Sequence, residues 1–360
     1  MLFSYKPIEY PQVIENFHVY VHYFFVNLFV DEPVDIVSLI HPDFNEMYNS
    51  HYGVIRNKLR SIHQQYLALD NVQKTLVQDA FNYNQQIENI CNKVINPIQY
   101  TVLEENFAKD LKKFFDESWT LLSSKSGNPT VKDKCGNIYE HYCGLFVGGR
   151  QNFTVCPVCG LEELLGEYDA CNDPDDEEQE KAREAYDHYF PKKLYPFISV
   201  DFTNLLPICH HCNSTYKHDY DTAYNGANRQ ACFYPFSLQE INDIRIKIDS
   251  PVIIDELKNS TDWSIVLETA SGIDEEINSW DNIFRIKNRY VKKIKAKERI
   301  WKDQLVRKVR IKNETTTWEE FKNNLYGDIE ILNQTCAIIQ KAYYDYFFEN
   351  LLPSYIEENE

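Results

Sequence analysis

The first third of the chain is patterned for helix. Apolar residues recur at three- and four-residue spacings over roughly 10–30, 43–68, 71–95 and 102–123, with Asp, Asn and Pro at the breaks. These segments predict a mostly helical domain over residues 1–125, with its many Tyr and Phe side chains in the core. Strict alternation appears later, in DIRIKID (Asp243 to Asp249) and DWSIVLET (Asp262 to Thr269), and predicts two short strands. Over 284–312, Tyr290, Ile294, Trp301, Leu305 and Val309 fall near helical spacing and predict one long amphipathic helix. A terminal helix is expected from about Trp318 to Leu352.

Composition narrows this picture. A chain of 360 residues with 43% hydrophobic residues is long enough for two or three domains with substantial cores. Its longest apolar run, Val19 to Val30, is too short for a membrane span and is interrupted by His22 and Asn27. No basic n-region or cleavage site opens the chain, so a cytoplasmic protein is expected. Walker A, GxGxxG and GxSxG patterns do not occur, which argues against ATPase and serine-hydrolase chemistry.

Charge is strongly segregated. The formal net charge is −18, yet 284–312 holds thirteen Lys or Arg against Glu298 and Asp303, a local +11 that leaves −29 for the rest. Lys292, Lys293, Lys295, Arg299, Lys302, Arg307 and Lys308 are therefore candidate phosphate contacts. A helix that pairs with acidic segments of the same chain is the alternative. The opposite run, Glu162 to Glu184, carries eleven acids against Lys181 and Arg183. Asp173 before Pro174 predicts an N-capped helix there, an acidic insertion that is either solvated or a docking or autoinhibitory element.

The cysteines add chemistry. Two C-x-x-C pairs, Cys156 with Cys159 and Cys209 with Cys212, are separated by 49 residues. Each pair can present two thiolates on one side of a turn, so together they predict one tetrahedral zinc ion. A closed set of four protein ligands makes that ion structural. Cys91, Cys135, Cys143, Cys171, Cys232 and Cys336 lack ligand spacing and are expected as ordinary thiols in a reducing compartment.

Between and beside these pairs stand DHYFPK (Asp187 to Lys192), NLLPIC (Asn204 to Cys209) and CNSTYK (Cys212 to Lys217). This segment resembles the HNH endonucleases of the ββα-metal fold, in the variant that carries C-x-x-C zinc pairs, over roughly residues 145–220. The resemblance implies a first strand ending at Asp187 and His188, a second carrying Asn204, and a helix beginning near Cys212. It makes Asp187 and Asn213 oxygen ligands of a catalytic magnesium or manganese ion. It makes His188 the general base, with an ordinary pKa near ~6.5 that leaves imidazole neutral at cellular pH, and Asn204 the residue that orients its ring. Many relatives have histidine where this chain has Asn213 and Lys217. An ammonium cannot ligate, so Lys217 is expected at a phosphate, with His218 as a substitute ligand. His210 and His211 are expected as exposed turn residues.

The expected fold class is thus α+β and mostly helical. A zinc-stapled ββα-metal HNH module over 126–235, with its acidic insertion at 162–184, lies between the helical domain and a C-terminal domain over 236–360. The implied function is metal-dependent DNA hydrolysis. The module also resembles nuclease subunits of bacterial anti-phage systems such as Septu and its retron-linked relatives, which implies an ATPase partner. An RNA (tRNA) endonuclease of the same fold and a non-catalytic zinc adaptor remain as alternatives.

Overall fold

The computed structural model describes residues 1–7, 12–30, 35–50, 54–123, 129–136, 138–146, 150–165, 184–236, 244–249, 263–312 and 315–353. In the first third the apolar spacing yields α1 (Gln12–Leu28), α2 (Asn45–Ser50), α3 (Val54–Ala68), α4 (Asn71–Asn84), α5 (Ile87–Cys91) and α6 (Glu105–Ser123). The expected helices are subdivided where local chemistry intervenes. A capping box between Asp70 and Gln73 starts α4, and the expected helix over 71–95 breaks after Asn84. α7 (Pro129–Cys135) and α8 (Ile138–Phe146) follow.

α6 shows why the bundle holds. Phe107, Leu111, Phe114, Phe115 and Leu122 lie on one buried face, and α6 packs against α3. That core also contains Phe17, Phe24, Phe25 and Phe81. Two residues from far along the chain complete it: Phe197 and Val200 insert into this aromatic core. Phe197 meets Phe25 edge-on with ring centroids 5.1 Å apart, and Phe81 at 5.4 Å.

A second core gathers Met1 to Phe3 and Tyr5, Ile87, Ile90 and Cys91, both cysteine pairs and the C-terminal helices. At its centre β1 (Tyr186–His188) and β2 (Leu205–Pro207) form an antiparallel hairpin in which Asp187 faces Leu206 and His188 faces Leu205. A short wide-turned helix, α9 (His211–Lys217), follows at once. β3 (Tyr224–Asn225) and β4 (Asn228–Arg229) make a small hairpin.

The C-terminal part pairs β5 (Arg245–Asp249) with β6 (Ser264–Glu268) in antiparallel register, and Ile246 and Ile248 of β5 point inward. α10 (Asp274–Phe284) leads through left-handed Arg285 (φ 54°) into the basic helix α11 (Ile286–Arg310). Tyr290, Ile294, Trp301 and Leu305 of its apolar stripe are buried, and Val309 packs partly against them. The expected terminal helix is instead two, α12 (Trp318–Gly327) and α13 (Ala337–Tyr346), and Cys336 takes a left-handed conformation just before the second. Among the described residues, no helix is long and apolar enough to cross a membrane. The acidic helix expected from Asp173 lies outside the described residues.

Candidate functional site

The four clamp cysteines converge. Cys156, Cys159, Cys209 and Cys212 are buried, and their sulfurs all lie within 4.8 Å of one another. Cys156 Sγ is 3.9 Å from Cys212 Sγ, and Cys159 Sγ is 3.8 Å from Cys209 Sγ. A zinc–sulfur bond of ~2.3 Å gives tetrahedron edges of about 3.8 Å, so the cluster has the size of a zinc site before any ion is added. The backbone builds it from both sides. Gly160 N donates to Cys156 O at 2.8 Å, and this turn needs Gly160 in the left-handed region (φ 63°) with Leu2 packed hard against it. The second pair lies at the start of α9, where Asn213 N donates to Cys209 O at 3.0 Å.

The basic helix is tied to this cluster. Arg289 is only 7% exposed; it donates to Cys212 Sγ at 3.2 Å and lies over the Tyr216 ring at 4.4 Å. Tyr290 donates to Cys159 O at 3.0 Å. Four thiolates around a zinc ion would carry a net charge of about −2, and Arg289 stands where it would offset part of it.

His188 stands at the end of β1, partly exposed. Its Nε2 lies 3.0 Å from Ser199 O. A carbonyl can only accept, so Nε2 carries the proton and Nδ1 keeps its lone pair. Among the described residues Nδ1 has no hydrogen-bond partner. The imidazole also meets the Trp119 ring of α6 edge-on, with centroids 4.5 Å apart. Burial, and after it the charge of Lys192, pushes the His188 pKa down to about 3, against the opposing bond to Ser199. The ring is therefore neutral at cellular pH.

Asn204 does not touch the imidazole. It is fully buried; its Oδ1 accepts from Phe190 N at 2.8 Å, and its Nδ2 donates to Phe190 O and Ile198 O, each at 3.1 Å. It ties Phe190, and Ile198 just before Ser199, to the residue that precedes β2, so it acts on His188 through the segment that carries the Ser199 carbonyl. The sequence expectation of a direct contact is corrected, because a buried side-chain amide satisfies its polar atoms on the nearest backbone.

Lys217 also departs from its expected place. It is wholly buried, with Nζ donating to Asp187 Oδ1 at 3.0 Å and to His188 O at 2.8 Å. No phosphate can reach it there. Asp187 is 3% exposed and burial raises its pKa, against the pull of Lys217. Its Oδ2 is buried without a hydrogen-bond partner among the described residues. Lys217→Met is expected to lower stability by about 3–5 kcal/mol, because it leaves a buried carboxylate without its countercharge. Adding Asp187→Asn should recover most of the loss in urea melts, and a single variant as stable as wild type would contradict the ion pair's role.

Asn213 on α9 is partly exposed and donates through Nδ2 to Ala185 O at 3.3 Å, and its Oδ1 has no hydrogen-bond partner among the described residues. The orphaned Asp187 Oδ2 and the Asn213 Oδ1 are hard oxygen donors of the kind magnesium or manganese takes. His218 is exposed, pairs with Asp219 at 3.2 Å and ends α9 with φ 46°. His210 and His211 are exposed, and His211 lies 3.6 Å from Glu162.

On α11, Lys292 and Arg299 are exposed, whereas Lys293 and Lys302 are half-buried. Lys308 is held by Asp328 at 3.0 Å. Cys91, Cys135, Cys232 and Cys336 are buried and Cys143 is half-buried, while Cys171 lies outside the described residues.

Three functional contributions escaped sequence reasoning: the Ser199 carbonyl, Trp119 and Arg289. A backbone acceptor has no residue-type signal, and the other two come from helices distant in sequence. Comparison of the chain with family models, with curated proteins and with solved structures gives no match.

Proposed function

We propose that the chain is a metal-dependent endonuclease of the HNH type that hydrolyses DNA phosphodiester bonds. The observation that carries this reading is the state of His188. One ring nitrogen is anchored on Ser199 O, the other is open, and the ring is neutral. An imidazole so held can take a proton from a water that attacks phosphorus. Asp187 and Asn213 would hold magnesium or manganese, which when bound neutralises charge on the phosphate and on the departing 3′ oxygen. The cysteine cluster is set apart from this chemistry, because four thiolates fill the coordination shell of zinc.

α11 concentrates the positive charge of an otherwise acidic chain. Lys292, Arg299 and Arg307 are exposed on the side opposite its buried stripe, and Arg289 roots the helix at the zinc cluster. Replacing Lys292 and Arg299 together by glutamine is expected to weaken binding at all DNA sequences and to reduce the salt dependence of log Kd by about 2. Filter binding across a salt series checks this, and an unchanged slope counts against the helix as a phosphate track. The acidity of the remaining chain suits an enzyme kept weak on DNA until an ATPase partner of an anti-phage system engages it.

The direct test is incubation of the purified chain with plasmid, single-stranded DNA and tRNA in magnesium or manganese. Cleavage of DNA is expected. Cleavage of tRNA alone would reassign the substrate, and inertness toward all three, with its partner present, would leave a zinc adaptor.

A further inference from the structure

Removing Lys217 from the list of phosphate contacts leaves the space beside His188 without the cation expected there. Phosphodiester hydrolysis places charge on the non-bridging oxygens, and a positioned cation stabilises it. Lys192 stands four residues after His188 and keeps a third of its side chain exposed. Its Nζ lies 6.0 Å from the centroid of Trp119, the ring that also meets His188, and 3.5 Å from Asp116 Oδ1. Both partners come from α6, so the helical bundle reaches into the hairpin site. Asp116 is shared: its Oδ2 also holds Lys112 at 2.6 Å.

We propose that Lys192 is a catalytic residue of this site that binds the phosphate next to the scissile bond, presented by Trp119 and Asp116 of α6. The inference rests on the endonuclease reading. Trp119 serves as a shared floor. Its ring holds the imidazole edge-on and limits where the Lys192 stem can lie, so base and cation keep a fixed spacing. Asp116 holds the ammonium in the absence of substrate. When a phosphate arrives, Lys192 can leave Asp116 without stranding that carboxylate, because Lys112 stays on its other oxygen. Lys217, the other lysine beside His188, is committed to Asp187 Oδ1 and His188 O. Of the two lysines, only Lys192 is within reach of solvent.

The test uses the full chain, a plasmid substrate and manganese, with wild type, His188→Ala, Lys192→Gln, Lys192→Arg, Trp119→Phe and Trp119→Ala side by side. Lys192→Gln is expected to lose about 10²–10³-fold in cleavage rate with zinc content and melting temperature unchanged. Lys192→Arg, which keeps the charge, should recover to within about tenfold of wild type. Trp119→Ala should lower kcat while Trp119→Phe restores it. Lys192→Gln cutting at the wild-type rate overturns the proposal, as does an arginine variant no better than the glutamine one. In either case a dead His188→Ala beside an active wild type keeps the endonuclease reading intact. A wild type that cuts nothing even with its partner present removes both.

Discussion

His188→Ala is expected to retain its zinc and fold and to lose about 10²–10⁴-fold in single-turnover cleavage, the usual contribution of a positioned general base. The size of the effect follows from how the imidazole is held. Nε2 is committed to Ser199 O and the ring lies against Trp119, so the open Nδ1 is presented in one orientation. Neither of its motif neighbours can stand in for it: Lys217 is buried on Asp187, and Asn204 is saturated by backbone. Stability should change little by comparison, because the lost contacts are one hydrogen bond and one ring contact at a partly exposed position, about 1–2 kcal/mol together. Plasmid nicking with equal zinc content and near-equal melting temperature checks the prediction. Residual cleavage within tenfold of wild type would move the base elsewhere.

Asn204 sharpens the same argument. Asn204→Ala removes three hydrogen bonds that clamp Phe190 and Ile198, and the Ser199 carbonyl lies between them and β2. It should cost both stability and kcat, whereas His188→Ala costs chiefly the latter. Comparing the two variants separates the group that reacts from the group that shapes the loop.

The parts legible in the sequence are those written in local spacing. The C-x-x-C pairs put four sulfurs in one cluster, and the stripe from Tyr290 to Leu305 puts α11 on the core, because turn geometry and helical period act over a few residues. The alternation of RIKID likewise gives β5. What the sequence did not disclose depends on contacts between distant segments. The Phe197 and Val200 anchors in the helical bundle, the Trp119 contact with His188 and the Arg289 bond to Cys212 have no local period to betray them. Lys217 misled for a related reason: a lysine in a motif reads as a surface charge until a buried carboxylate on β1 is seen to claim it.

Stripping zinc from the cysteine cluster is expected to unfold the second core outright, whereas removing magnesium should leave the melting curve in place. Zinc held by a structural site contributes about 10–16 kcal/mol in small domains, as much as the whole stability of a typical protein. Here the loss has two further components. Without the ion, four buried thiols are left within 4.8 Å of one another with no ligand to hold them together. Arg289, 7% exposed, then loses the negative cluster that its guanidinium faces and becomes a buried charge without compensation. The damage should spread to α10 and α11, since Trp280 of α10 is bonded to Val158 O and Tyr290 of α11 to Cys159 O in the same turn. The aromatic core of α1, α3, α4 and α6 is a separate cluster that takes Phe197 and Val200 from this region and meets α8 at its edge. Calorimetry of the chelated protein should therefore lose one cooperative transition and keep helical signal from the bundle. Cys212→Ser should reproduce this more severely than Cys159→Ser, because it also removes the partner of Arg289. A zinc-free chain that melts like wild type would show that the four cysteines hold the fold by packing alone.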